Sequence, residues 1–314
     1  LTLLPFVRSA KDLQRISNIK MPSRTAETPD EWSNSADIIS RFLALQQIYS
    51  ATELDAYLQS QQFIDRNTPD STAQPIDVVV LCASAILAIP EAVFEWAVQE
   101  QARPDARERN IVLVLCGGVG PCTSFVYDAI KSSKKYSQIY DDVHGKPEGQ
   151  VLKTMAERFY KLDVSKPEHH HSFEDGFIIL VSDRSTDCGA DATETRKVLE
   201  GNGIHSPRSI VVVQDPAMSS RTVSSFNKVY DDQEAHISSW PRLKSGSLPQ
   251  QGKDQDKHMP RELWSMDRFL DRIMGDSSQV QSKNIKVNSS IDIPGEVEDA
   301  WSTIMHKDSL KSSE

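Results

Sequence analysis

Three glycines carry the first chemical signal in the chain. Gly117, Gly118 and Gly120 follow directly on an apolar run at 111–115, IVLVL, and precede a pattern in which Phe125, Ala129 and Ile130 share one side of a helix. A buried strand that ends in a glycine turn and restarts as a helix leaves unpaired backbone N–H groups at the helix N-terminus, where a phosphate, carboxylate or other anion is favoured. Thr123 adds a hydroxyl at the start of that helix. The spacing is neither the GxGxxG of a dinucleotide fold nor the GxxxxGK[ST] of a nucleotide-phosphate loop, so the pattern alone fits a ligand loop and a plain tight turn equally well.

Three more apolar runs end in polar segments. Residues 76–82, IDVVVLC, lead into Ala83 and Ser84; residues 177–181, FIILV, lead into SDRSTDCGAD; residues 209–213, SIVVV, lead into QDPAMSSRT. Ser185, Thr186, Asp187 and Asp191 exceed what one helix cap uses, which is one or two side chains. Asp215 stands at the end of its run, and Arg221 lies far enough into the next helix to reach back to an anion or to make a surface ion pair. Glu148 begins a helix carrying Val151, Leu152, Met155 and Phe159.

The four cysteines, Cys82, Cys116, Cys122 and Cys188, are too few for a disulfide framework and contain no CxxC pair. They read as small buried hydrophobes lining a cleft in a reducing compartment, ahead of reactive thiols. His169, His170 and His171 are consecutive and cannot all face one ion, so they read as a polar loop, and no metal is expected.

The elements that position these residues alternate. Apolar strands separated by helices predict an α/β protein: a Rossmann-like doubly wound parallel sheet with N-terminal helices and extra C-terminal helices, in which ligands gather outside the carboxyl ends of the strands. The expected division is a flexible arm at 1–30, helices at 31–75, the Rossmann-like domain at 76–235, a mobile insertion at 236–260 and helices completing the domain at 261–314. A helical stripe of Ile38, Ile39, Phe42, Leu45 and Ile48 and a second through Leu54, Tyr57 and Leu58 account for the N-terminal helices.

Among 314 residues the formal net charge is -10, which argues against nucleic acid as a partner. The longest apolar run, 78–89, falls short of the ~20 residues of a membrane span, so the expectation is a soluble, cytoplasmic protein. The basic residues Arg8, Lys11, Arg15, Lys20 and Arg24 make a mitochondrial transit peptide the alternative. A monomer is compatible with the sequence, which does not fix the oligomeric state.

CGGVGPCTSFVYDAI, STDCGADA, VVQDPAMSSRT and DIPGEVEDAW occur in one order over roughly residues 35–305, and together they resemble the YdcF-like family of bacterial proteins. That widespread domain family of unknown function includes YdcF, SanA and ElyC. The resemblance implies a Rossmann-like domain with C-terminal helices, S-adenosylmethionine binding in the YdcF branch, and no settled reaction. It places Gly117, Gly118, Gly120 and Thr123 in the family's glycine motif and Glu148 at its helix-start glutamate. Ser185, Thr186, Cys188 and Gly189 fall in the third loop, and Gln214, Asp215, Pro216, Met218, Arg221 and Thr222 in the fourth. The family's usual glycine and asparagine after the first strand are Ala83 and Ser84 here; its third-loop glutamate, asparagine, glutamate and asparagine are Ser182, Asp187, Ala190 and Asp191. Exchanging asparagine for aspartate replaces donors with charge and repels an anion.

The expected ligand set is therefore Ser84, Gly117, Gly118, Gly120, Thr123, Glu148, Ser185, Thr186, Asp187, Asp191, Asp215 and Arg221, around an anionic or nucleotide small molecule. S-adenosylmethionine or a related nucleotide is the first candidate. A hydrolase of phosphate esters or lipid-linked phosphates, with Gly N–H groups and Arg221 holding phosphate and Asp187 or Glu148 as base, is the alternative. A non-catalytic scaffold is the third, and whether any reaction is catalysed stays open.

Overall fold

The structure is a computed structural model. It describes residues 47–65, 76–105, 109–164 and 176–240, with positions 34, 35, 38, 39, 45, 295–297, 299, 300, 302 and 303. The arm at 1–30, the three consecutive histidines, the polar run at 244–257 and residues 261–293 lie outside the described residues.

Runs of valine, isoleucine and leucine build the sheet. Strands β1 (Asp77–Cys82), β2 (Ile111–Cys116) and β4 (Ser209–Val213) are buried at every position, and β3 (Phe177–Ser182) at all but one. Strands apolar on both sides need helices on both faces, which is the condition under which an all-parallel sheet is stable. A fifth strand, β5 (His236–Ser239), joins at one edge. The order is β3-β2-β1-β4-β5 and every pairing is parallel, so the chain is an α/β protein with a doubly wound sheet.

The helices are α1 (Ala51–Asp65), α2 (Ala88–Gln101), α3 (Thr123–Ser132), the short α4 (Tyr140–Val143), α5 (Glu148–Tyr160), α6 (Cys188–Gly201) and α7 (Pro216–Val229). Alternation along each strand sends successive side chains to opposite faces. On one face Val79, Leu81, Leu113, Leu115 and Ile179 share a core with Phe94 of α2, Ile130 of α3 and Leu152 of α5. On the other, Val78, Val80, Val112, Val114 and Leu180 share one with Leu199 of α6 and Phe226 of α7. Pro90 lies in the first turn of α2, where no N–H donor is required.

Two expectations are corrected. The stripe from Ile38 to Ile48 is not one helix: positions 38 and 39 are helical, but Leu45 has φ of 45° and is exposed, and residues 47 and 48 donate their N–H groups to the Ser239 carbonyl at 3.2 and 3.0 Å. Ile48 is buried because it caps the sheet edge, which gives it the same apolar requirement as a helix stripe. The mobile insertion expected at 236–260 is corrected at its start. Residues 236–239 form β5, and Trp240, buried, donates its backbone N–H to the Val212 carbonyl at 2.9 Å. Val297 and Ala300, in the C-terminal segment, are buried as well. No helix among the described residues is long and apolar enough to cross a membrane.

Candidate functional site at the carboxyl edge of the sheet

Register decides which residues meet. Leu81 is level with Leu115 and Val213, and Cys116 with Cys82 and Ser182, so all four strand ends lie at one edge. Between β1 and β4 the connections turn to opposite sides of the sheet, and such a reversal opens a crevice in an α/β fold. Ser84 follows β1 and Asp215 follows β4, placing both at that crevice; both are buried. The Ser84 hydroxyl accepts the Ile86 N–H at 3.0 Å, and the Asp215 N–H donates to the Gln214 side chain at 2.7 Å. Arg221 is exposed on α7, one turn beyond.

The glycine loop is held from both sides. A methyl placed on Gly117, whose φ is 147°, would stand 2.8 Å from both Cβ and Oε2 of Glu148 and 3.3 Å from Cβ of Ala83. One on Gly118 would fall 2.6 and 2.7 Å from the backbone C and N of Ser185, and one on Gly120 would lie 2.8 Å from the Thr186 carbonyl. The loop therefore brings Ala83, Glu148, Ser185 and Thr186 together. Gly118 faces the β3–α6 loop backbone, so substitution there acts through packing before it acts on any ligand.

Its donors are engaged internally. Gly117 N–H donates to the Ser182 carbonyl at 2.9 Å, Gly118 N–H to the Ser185 hydroxyl at 2.8 Å and Gly120 N–H to the Thr123 hydroxyl at 2.8 Å. The start of α5 is capped in turn by this loop, since Glu148 and Gly149 donate to the Gly118 and Gly117 carbonyls at 2.9 and 2.6 Å. Asp187 caps α6, accepting from Gly189 and Ala190 at 2.8 and 3.0 Å while exposed beside Thr186. The expected anion cradle of free glycine donors is thus closed by the protein's own hydroxyls and carbonyls.

Beneath this loop lies a cluster that sequence spacing does not reveal. Cys82 and Cys116 end neighbouring strands in register, and Asp191 of α6 comes down on them; the two Sγ atoms and a carboxylate oxygen all lie within 4.8 Å of one another, and all three residues are buried. The Thr195 hydroxyl donates to Cys116 Sγ at 3.4 Å. Ser185 and Cys116 hydrogen-bond the Asp191 side chain, yet its pKa stays above the ordinary range because burial outweighs both bonds, with the charge of Asp187 adding to it. The Cys82 contact lowers the Cys116 pKa, while burial and the charge of Asp191 outweigh it, leaving the thiol raised.

Gly149 is the other residue missed. A methyl there would press to 3.1 Å from the Leu115 and Ser182 carbonyls, so glycine lets α5 seat closely on the strand ends. The structure thus joins Gly117, Gly118, Gly120, Thr123, Glu148, Ser185, Thr186, Asp187 and Asp191 around one loop system and sets Ser84 and Asp215 along the crevice beside it, with Arg221 exposed on α7. No protein-family model matches the chain.

Proposed function

We propose that this edge binds a nucleoside-bearing small molecule of the S-adenosylmethionine type, in keeping with the YdcF-like resemblance of the loops after β2, β3 and β4. The observation that carries the reading is the balance of groups at the edge. The glycine N–H donors and the starts of α5 and α6 are capped internally, Asp187 being the cap of α6, while Glu148 and Asp215 add carboxylates to the same edge. Carboxylates accept hydrogen bonds from ribose hydroxyls and attract a sulfonium or ammonium group; they repel phosphate. Asp215, at the β1/β4 crevice, stands where Rossmann-like folds bind ligands and is the acid assigned to the ribose. Ser84 lines the β1 side, and Arg221 of α7 is the cation assigned to the ligand's own carboxylate. This reading assigns binding and no reaction.

The test is a thermal-shift and calorimetric comparison of S-adenosylmethionine and S-adenosylhomocysteine with ATP, inorganic phosphate and glycerol phosphate. A ligand at a hundred times its Kd stabilises the native state by about 2.7 kcal/mol, enough to move the midpoint. The adenosyl compounds are expected to raise the midpoint, and Asp215→Asn to abolish that rise. A rise with the phosphates and none with the adenosyl compounds would favour the phosphate-ester hydrolase instead.

A further inference from the structure

We propose that Cys82, Cys116 and Asp191 form a buried site for a thiophilic divalent cation, with Zn2+ as the occupant. Two thiols and a carboxylate whose ligand atoms all lie within 4.8 Å of one another can converge on one ion. Paired sulfur ligands select zinc over magnesium or calcium, which demand oxygen donors.

Two independent observations point to an occupant. The first is Ser182, fully buried, whose hydroxyl has no hydrogen-bond partner among the described residues. It is level with Cys116 on the neighbouring parallel strand, and alternation places it on the same face as Cys116 and Cys82. The row Cys82, Cys116, Ser182 therefore presents two sulfurs and an unused oxygen toward the side from which Asp191 descends. The second is charge. The buried acids Asp77 and Glu100 each meet an arginine, Arg208 and Arg109 respectively. Asp191, also buried, has no ion pair with a cationic side chain among the described residues and faces Ser185 and the thiols instead. A buried carboxylate is retained when it is paired or coordinates a metal.

The protein also supplies the surrounding shell. Thr195 donates to Cys116 Sγ, and Ser185, itself fixed by the Gly118 N–H, hydrogen-bonds Asp191. Such outer partners orient ligands and sustain affinity. A metal here departs from the sequence expectation of none, and its ligands Cys82, Cys116 and Asp191 are distinct from the Ser84, Glu148, Asp187, Asp215 and Arg221 of the nucleoside reading.

The experiment takes the full chain, stripped with a chelator and dialysed, and titrates it with Zn2+ by calorimetry and with Co2+ by absorbance. One ion per chain is expected, and cobalt should show the near-ultraviolet thiolate charge-transfer band together with the intense visible bands of a tetrahedral site. Cys82→Ser and Cys116→Ser should each reduce the thiolate band, whereas Cys122→Ser should leave it unchanged. Thr195→Val, which keeps every ligand, should weaken Zn2+ binding by about 10- to 100-fold. Circular dichroism on the same samples separates lost binding from lost folding. The cobalt spectrum of the unaltered protein decides the matter even if a core cysteine variant fails to fold. No binding to the unaltered protein, cobalt binding without a thiolate band, or a band that survives in the folded double variant Cys82→Ser, Cys116→Ser would overturn the proposal and leave the cluster as hydrogen-bonded packing.

Discussion

At the scale of residues, two glycines with the same name have opposite roles. Gly118 has the Ser185 backbone where a side chain would begin, with the carbonyl carbon 2.6 Å from the added methyl. Neither backbone can withdraw easily, because the Gly118 N–H is itself tied to the Ser185 hydroxyl at 2.8 Å. Gly118→Ala is expected to cost about 3 kcal/mol, the upper end for overpacking, read as a lower urea midpoint. Gly201, at the end of α6, has nothing among the described residues within 4 Å of an added methyl and no positive φ. Gly201→Ala should instead stabilise by about 0.5–1 kcal/mol, since alanine loses less backbone freedom on folding. Equal losses at both positions would show that backbone conformation, and not the Ser185 contact, dominates.

At the scale of elements, α1, α2 and the entry to β2 are joined by buried charge. The Glu100 carboxylate accepts two bonds from the Arg109 guanidinium, at 2.6 and 2.8 Å, and Asp55 of α1 pairs with Arg103 at 3.4 Å. Burial nevertheless pushes the Glu100 pKa up to about 7, the Arg109 charge opposing it and the Asp55 charge adding to it. A glutamate raised in the folded state binds more protons when native than when unfolded, so its contribution is complete below the unfolded value of about 4.3. It is lost as pH rises through about 7. Glu100→Gln, which cannot ionise, should flatten the decline of unfolding free energy with pH over that window, whatever it does to absolute stability. Parallel pH profiles for the two proteins would place the ionisation of Glu100 elsewhere.

Elements also mark what the sequence made legible. β4 occupies residues 209–213 as its valine run predicts, and β1, β2 and β3 differ from expectation by one residue at an end. Buried parallel strands advertise themselves because both faces must be apolar. β5, HISS, escaped because an edge strand needs little apolar content and has only Ile237. Its missing partner comes from residues 47 and 48, far away in sequence. The meeting of the four polar loops at one edge was legible because topology alone brings strand ends together. The cluster of Cys82, Cys116 and Asp191 was not, because it depends on register and on how α6 seats, neither of which is written in local spacing.

At the scale of the whole molecule, the two edges of the sheet are chemically unlike. At the amino edge Asp77 is bound by Arg208 and by the Ser209 hydroxyl, which pins β1 to β4 with side chains that have found their partners. At the carboxyl edge the same two strands part into loops whose connections turn to opposite faces, and acids gather there. A nucleoside bound in that crevice would cover the loops after β1 and β4 and leave the opposite edge untouched. Hydrogen–deuterium exchange with and without S-adenosylmethionine is therefore expected to slow at 83–87 and at 214–221, while 208–209 stays unchanged. Backbone amides report this directly, because ligand contact suppresses the local openings through which exchange occurs. Protection confined to the amino edge, or spread evenly over both, would mean that the ligand acts elsewhere or on global stability, and the crevice between β1 and β4 would lose its claim to be the site.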